Sequence, residues 1–323
     1  MSRLHLSFAC WNYDRTRALM ERRVEPDGIE LTYLDLPVEE TFFRMIRHRE
    51  FDVAEMSLSS YTVSLFREPA PFVAIPVFPS RMFRHGSIYV SAASGVRTPK
   101  DLVGKRIGTP EFQMTAPVWI RGILADEYGV PVDSPIYMTG GEEEPDRDEK
   151  IKLDLPPNIR LEPIGPGKTL SRMLADGEIA ALQTARMPSS YLAGDGRVRR
   201  LFEDYVDIEK AYFRRTRIFP IMHLVAIRRD AYEQHPFVAA SLYQAMTAAK
   251  DLALAKMRDL GALRYMLPGL PAELDQIDAT FGGDPWPYGV EANRPTLEAL
   301  VRYMAEQSLI KAPIPVDELF VPV

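Results

Sequence analysis

Two arginines and a histidine stand within five positions of the sequence, in the segment FPSRMFRHGSIYV at residues 78–90. Apolar runs typical of strands flank Arg81, Arg84 and His85 on both sides, which puts the three residues at a strand end. Arginine binds a carboxylate through two parallel hydrogen bonds, and histidine exchanges protons near neutral pH. The segment therefore predicts an anion site in which Arg81 and Arg84 clamp a carboxylate. A salt-bridged surface turn is the competing interpretation.

Two other residues are candidates for proton transfer beside His85. His223 lies inside the apolar run FPIMHLVAI, where an ordinary core histidine is the alternative. Asp14 lies in the loop WNYDR after the first strand, and a carboxyl group there can hold a proton near neutral pH if it is desolvated. The candidate catalytic residues are therefore His85, His223 and Asp14.

Polar residues at other strand ends are candidate ligand contacts. Ligands of folds with parallel strands bind at the carboxyl ends of strands and at helix N-termini. The segment GTPEFQMTAPVWIRG places a strand end near Gly108 and a helix start near Thr115, where free backbone N–H groups can bind an anion. Arg121 has an ordinary helix position as its alternative. Besides the two arginines of the clamp, the candidate contacts are Asn12, Glu55, Ser57, Gln113, Thr115 and Arg121.

Strand-like and helix-like segments alternate along the chain, which predicts an α/β fold with mostly parallel sheets. The alternation begins anew at about residue 94. From about residue 217 the strand-like run RIFPIMHLVAIRRD leads back to the first block, and the helical segment PFVAASLYQAMTAAKDLALAKM follows it. We therefore predict two lobes with a cleft between them. Residues 1–93 and 217–323 form a discontinuous first lobe, and residues 94–216 form the second.

Composition and motifs exclude several classes of protein. The 323 residues include 39 basic and 45 acidic ones, and a net charge of −6 argues against a nucleic-acid partner. The one cysteine, Cys10, excludes an internal disulfide and a multi-cysteine metal site, and its apolar surroundings favour a buried thiol. Metal-binding histidine pairs, phosphate loops and dinucleotide-binding glycine motifs are absent from the sequence. We therefore expect no organic cofactor and no dedicated metal site, with a divalent ion held by carboxylates left open.

The N-terminal segment MSRLHLSFACWNYD does not follow the pattern of a signal peptide, and no stretch approaches the roughly 18 apolar residues of a membrane helix. The sequence therefore predicts a cytoplasmic protein with no membrane partner. The predicted anion site makes a small carboxylate the expected partner, and assembly into a homo-oligomer is left open.

Five segments together resemble the 4,5-dihydroxyphthalate decarboxylases, over about residues 4 to 320: FDVAEMSLSSY, FPSRMFRHGSIYV, PKDLVGKRIGTPEFQMTAPVWIRGILADEYGV, IFPIMHLVAI and FGGDPWPYGVEANRPTLEAL. That family is similar in fold to type II periplasmic substrate-binding proteins. The resemblance implies two α/β lobes with two interdomain crossovers and a central cleft. It also implies decarboxylation of a hydroxylated aromatic dicarboxylate, such as 4,5-dihydroxyphthalate to protocatechuate. One departure is Ala180, where the family pattern GEIDAL has an acidic residue.

Such a reaction has definite chemical needs. A hydroxyl para to the departing carboxylate is deprotonated and pushes charge into the ring, a proton adds to the ipso carbon, and CO2 leaves. The enzyme supplies a base, an acid and a cationic clamp for the carboxylate that stays. His85 and His223 are the candidate acid and base, and Arg81 and Arg84 the candidate clamp. The alternative function is a cytoplasmic protein that binds an aromatic or small carboxylate without catalysis.

Overall fold

The computed structural model describes residues 3–146 and 153–323, and these residues form two compact units. Unit 1 takes the described residues of Met1–Arg81, Thr216–Leu297 and Ile314–Val323. Unit 2 takes those of Met82–Arg215 and Glu298–Pro313. Each unit has its own β-sheet with helices packed on it, so the predicted α/β class is confirmed.

The strands in chain order are β1 (Leu4–Ala9), β2 (Ile29–Leu34), β3 (Val53–Ser57), β4 (Phe72–Arg81), β5 (Ile88–Ser91), β6 (Arg106–Thr109), β7 (Ile136–Thr139), β8 (Arg160–Pro163), β9 (Ala181–Gln183), β10 (Val198–Arg200) and β11 (Ile221–Arg228). The helices are α1 (Asp14–Met20), α2 (Val38–His48), α3 (Leu58–Ser64), α4 (Thr115–Tyr128), α5 (Leu170–Ala175), α6 (Ser189–Leu192), α7 (Tyr205–Thr216), α8 (Arg229–Gln234), α9 (Phe237–Arg258), α10 (Leu270–Phe281) and α11 (Arg294–Glu306). Among the described residues, none of these helices has both the length and the apolar character that a membrane crossing requires.

The sheet of unit 1 has the strand order β2-β1-β3-β11-β4. β1 pairs in parallel with β2 and β3, while β11 runs antiparallel between β3 and β4. β3 is buried along its whole length, as expected for a strand covered on both faces. Since β1, β3 and β4 run in the same direction, their carboxyl ends lie at one edge of the sheet. The first residues of β11 lie at that same edge, because His223 stands opposite Ser57 and Ser80.

The sheet of unit 2 has the order β10-β5-β9-β6-β7-β8. β6 pairs in parallel with β7 and β9, and β7 with β8, so the carboxyl ends of these four strands also share an edge. β5 is antiparallel to both of its neighbours. Leu170 and Leu174 of α5 pack against Leu182 of β9 in a core of fully buried side chains.

The unit boundaries differ from the predicted lobes at two places. β5 begins before residue 94 and pairs with two strands of unit 2, which moves the first boundary to residues 81/82. Residues 298–313 also belong to unit 2, because the end of α11 packs on α4. Tyr303 donates a hydrogen bond to Asp126 at 2.8 Å, and its ring lies where a side chain on Gly122 would stand. Hydrophobic periodicity identifies such a helix but does not say which core it covers.

His85 is part of the core of unit 2. It is 1% exposed and makes edge-on contacts with three aromatic rings, at centroid distances of 6.2 Å to Tyr128, 5.6 Å to Phe202 and 5.2 Å to Tyr212. Its Nδ1 has no hydrogen-bond partner among the described residues. Burial lowers the pKa of His85 to about 4, because the aromatic surroundings disfavour the charged imidazolium. The ring is therefore neutral at pH 7.

We expect the substitution His85→Leu to remove a pH-dependent loss of stability. The pKa of His85 is about 4 in the folded protein against an ordinary 6.5, so below pH 6.5 the unfolded chain takes up a proton that the folded chain does not. Between pH 7 and pH 4 the free energy of unfolding should fall by about 3 kcal/mol more in the wild type than in His85→Leu. Urea unfolding at both pH values measures this difference. Parallel pH curves would contradict a buried, neutral His85.

Candidate active site

The carboxylate of Glu55 is the centre of the polar edge of unit 1. Glu55 lies in β3 and is fully buried. It accepts hydrogen bonds from the Tyr13 hydroxyl at 2.6 Å, from the Trp11 backbone N–H at 3.2 Å and from His223 Nδ1 at 2.6 Å. Burial would raise the pKa of Glu55, but the charge of His223 and these hydrogen bonds hold the pKa below its ordinary value. Glu55 is therefore a carboxylate at neutral pH.

His223 is oriented by this carboxylate. An ionised carboxylate can only accept hydrogen bonds, so the Nδ1 of His223 must carry a proton. Phe42 packs edge-on against the imidazole, with ring centroids 4.8 Å apart. The side chain is 17% exposed, and Nε2 has no hydrogen-bond partner among the described residues. Nε2 is thus the atom that can give a proton to a ligand or take one from it.

Arg81, the last residue of β4, is a buried cation at the same edge. Its Nη2 donates to the carbonyl of Pro287 at 2.6 Å and to the side-chain oxygen of Asn293. Its guanidinium also lies near the ring of Phe219, at 5.7 Å from the centroid. Burial lowers the pKa of Arg81 to about 9, which still leaves the group charged at pH 7. Its Nε is buried without a hydrogen-bond partner among residues 3–146 and 153–323.

Arg15 is a second cation on this edge, and it was not among the predicted site residues. Its guanidinium lies over the rings of Tyr13 and Trp286, at 4.1 and 4.4 Å from the ring centroids. Its Nε donates to the carbonyl of Pro79 at 2.5 Å, and its Nη1 donates to Asp14 at 3.0 Å. The adjacent aromatic and acidic residues in WNYDR were the only local signal, because Trp286 comes from a distant segment.

Three predicted residues near the first strand and β3 have local roles. Asp14 is 30% exposed and pairs with Arg15, and its predicted role in proton transfer stays a prediction. Asn12 accepts a hydrogen bond from Arg17 at 3.2 Å. Ser57 is the N-cap of α3 and accepts a hydrogen bond from the backbone N–H of Ser60. These residues shape the loops at the edge of unit 1.

Unit 2 has its own buried polar row at the carboxyl ends of β6 and β9. Gln113 donates to Glu111 at 2.8 Å, and both side chains are buried in the loop before α4. Thr115 is the first residue of α4 and is also buried. Gln183, at the end of β9, has a buried side-chain oxygen without a partner in the described part of the chain. This row is where the predicted contacts Gln113 and Thr115 lie.

His85 and Arg121 are both enclosed in unit 2. His85 lies in its aromatic core and is 1% exposed. Arg121 donates to Gln307 at 2.8 Å and to the carbonyl of Phe112 at 2.5 Å, and it stacks 3.8 Å from the Phe112 ring centroid. Arg121 therefore joins α4 to residues 298–313, and the predicted roles of both residues at a ligand stay predictions.

Arg84 is buried in unit 2, whereas Arg81 belongs to unit 1. Its Nη1 lies 3.4 Å from both the Ser87 hydroxyl and the Ala185 carbonyl. Burial lowers the pKa of Arg84 to about 10. The clamp of Arg81 and Arg84 stays a prediction. Arg81 is the last residue of β4 in unit 1, whereas Arg84 lies in the segment before β5 in unit 2.

Ala180 stands directly before β9 and is 9% exposed, with its backbone N–H bonded to the carbonyl of Arg106 at 2.9 Å. An acidic side chain here would be largely buried and would need a partner that alanine does not. In the described residues no three His, Cys, Asp or Glu side chains are grouped as ligands of a metal ion.

Comparisons with known proteins give the relationship of the whole chain. No protein-family model matches the sequence. The chain is 40% identical to the 4,5-dihydroxyphthalate decarboxylase of Comamonas testosteroni over 322 residues, which cover 100% of this chain and 98% of that protein. It is 43% identical to the 4,5-dihydroxyphthalate decarboxylase of Pseudomonas putida over 204 residues, which cover 63% of this chain and 79% of that protein.

Solved structures show the same type of fold at low sequence identity. The periplasmic aliphatic sulphonate binding protein SsuA of Escherichia coli is similar with a TM-score of 0.55 at 12% identity, and the match covers 99% of this chain and 98% of that one. The fold is thus the two-lobed α/β fold of periplasmic binding proteins, as predicted. Together with the 40% identity over its full length, this establishes that the chain belongs to the 4,5-dihydroxyphthalate decarboxylase family.

Proposed function

We propose that the protein is a carboxy-lyase that converts 4,5-dihydroxyphthalate, or a closely related hydroxylated aromatic dicarboxylate, to protocatechuate and CO2. The observation that carries this proposal is the pair of Glu55 and His223, in a chain 40% identical to a decarboxylase of that name. The pair puts a proton donor at the strand edge where ligands of such folds bind. A protein that only binds a carboxylate has no need of an oriented imidazole.

The chemistry requires a proton at a ring carbon. When CO2 leaves a benzoate directly, the electron pair stays on an aryl carbon and is very unstable. A para hydroxylate delivers charge to that carbon first, so that the carbon can accept a proton before the C–C bond breaks. The new C–H bond then replaces the bond to CO2, and the hydroxyl proton that was lost at the start is regained.

We assign the carbon-bound proton to Nε2 of His223. The Glu55 carboxylate accepts the hydrogen bond of Nδ1 and orients the ring, so that Nε2 is its free end. Tyr13 and the Trp11 N–H compensate the buried charge of Glu55, which keeps Glu55 from taking the proton itself. Glu55 is therefore a positioning residue and His223 the catalytic acid. No step in this proposal requires an organic cofactor.

Turnover in deuterated water tests the reaction. Purified protein incubated with 4,5-dihydroxyphthalate in D2O should release CO2 and form protocatechuate with one deuterium at the carbon that lost its carboxylate. Mass spectrometry counts the deuterium, and NMR locates it. Phthalate is the control substrate, because without a hydroxyl it cannot deliver charge to the ring carbon and should stay intact.

Saturable binding of 4,5-dihydroxyphthalate without any product would contradict the proposal and favour a binding protein. Turnover that stops with a chelator and resumes with a divalent cation would favour the metal-assisted alternative.

Substitution of the pair tests the assignment of roles. His223→Gln should lower kcat by about 10²- to 10⁴-fold, because the proton donor acts in the transition state, while the affinity for protocatechuate changes little. Glu55→Gln should also lower kcat, because a neutral amide does not replace the carboxylate that orients His223. Single-turnover rates and calorimetric affinities separate the two effects.

The matched control for these substitutions is His5→Gln. His5 faces Glu30 at 3.4 Å on the same sheet, but it is 73% exposed and far from the strand edge that carries His223. The kcat of the His5→Gln protein should equal that of the wild type. A His223→Gln protein with unchanged kcat would remove His223 from the chemistry.

A further inference from the structure

Three hydrogen-bonding groups in or beside the segment 284–288 of unit 1 have no partner among the described residues. They are Nη2 of Arg15, the buried Nε of Arg81 and the buried hydroxyl of Tyr288. Buried donors are almost always paired in native proteins, so the unpaired Nε of Arg81 and hydroxyl of Tyr288 are available to a ligand. All three can donate a hydrogen bond, which is the arrangement that an anion requires.

The segment 284–288 holds both arginines. The ring of Trp286 supports the guanidinium of Arg15, and its Nε1 is anchored to the carbonyl of Phe78 at 2.8 Å. The next residue, Pro287, accepts a hydrogen bond from Arg81. Pro79 and Asp14 take Nε and Nη1 of Arg15, and Pro287 and Asn293 take Nη2 of Arg81. Nη2 of Arg15 and Nε of Arg81 have no partner among the described residues and remain for a ligand.

Tyr288 lies close enough to both arginines for their charges to act on its hydroxyl. It is 7% exposed, and its hydroxyl is unpartnered among the described residues. Burial raises the pKa of Tyr288 well above its ordinary value, although the charges of Arg15 and Arg81 oppose this. The hydroxyl is therefore protonated and able to donate. The same charges act on each other, since Arg15 contributes to lowering the pKa of Arg81 after the larger effect of burial.

The site has too little negative charge of its own. Asp14 pairs with Nη1 of Arg15, and Asp284 pairs with Lys250. Arg81 forms no ion pair with any of the described residues. Two nearby guanidiniums, one of them buried, repel each other until an anion binds between them.

We propose that Arg15, Arg81 and Tyr288 form the binding site for the ring carboxylate that the reaction retains. This inference rests on the proposed function, and it replaces the predicted partner of Arg81, Arg84, by two residues of unit 1. A strong cationic site suits the carboxylate that stays. If it held the carboxylate that becomes neutral CO2, it would stabilise the ground state more than the transition state.

Calorimetry with three probes tests the site: phthalate, protocatechuate, and catechol, which lacks a carboxylate. Tyr288→Phe keeps the ring and should weaken the binding of phthalate and protocatechuate about 10-fold. Arg15→Gln should weaken both by about 10- to 100-fold, and Arg15→Lys should recover only part of the loss, because a point charge does not replace the guanidinium. The affinity for catechol should not change.

Kinetics give a second readout. The retained carboxylate is present in both the ground state and the transition state. Substitutions that remove its contacts should therefore raise KM and leave kcat nearly unchanged. The matched controls are Tyr61→Phe, whose buried hydroxyl bonds to the carbonyl of Leu319, and Arg17→Gln, two positions from Arg15 on α1. Both should keep the wild-type affinity for phthalate.

The outcomes separate this inference from the proposed function. Wild-type turnover together with unchanged phthalate affinity in Tyr288→Phe and Arg15→Gln would overturn the site and leave the function standing. Phthalate binding that depends on Arg15 and Tyr288, with no turnover of 4,5-dihydroxyphthalate, would support the site and overturn the function. Equal losses in the control variants would also overturn the site.

Discussion

The burial of one carboxylate, that of Glu55, determines the arrangement of the polar edge of unit 1. A buried charge costs several kcal/mol unless hydrogen bonds and an opposite charge compensate it. Glu55 obtains this compensation from Tyr13, from the Trp11 backbone and from His223, which come from the loop after β1 and from β11. These hydrogen bonds hold each partner at a definite place. They therefore fix the orientation of the His223 ring.

The positions of Arg15 and Arg81 depend on the same set of contacts. Tyr13 bonds to Glu55 through its hydroxyl and supports the guanidinium of Arg15 with its ring. The ring of Trp286 also contacts the guanidinium of Arg15, and the next residue, Pro287, accepts a hydrogen bond from Arg81. His223 and the two arginines are therefore parts of one connected set of contacts. A change at Glu55 or Trp286 would affect both the His223 ring and the two guanidiniums.

The fold does not select the chemistry. An aliphatic sulphonate binding protein has the same type of fold at 12% identity. Sheets of this kind bind ligands at the carboxyl ends of their strands as a general property, whatever the chemistry. What this chain has at that edge is an imidazole oriented by a buried carboxylate, and this pair can move a proton.

Periodicity and local motifs were enough for the α/β class, for the long helix now seen as α9 (Phe237–Arg258) and for the selection of Arg81 and His223. These features depend on residues that are close together in the sequence or on the ends of strands. Both can be recognised from local sequence patterns. The sequence could not place His85 in an aromatic core, assign residues 298–313 to unit 2, or bring Arg15 and Tyr288 together. Those results depend on contacts between residues far apart in the chain. Only the packed tertiary structure decides which polar groups are buried and which of them lack a partner.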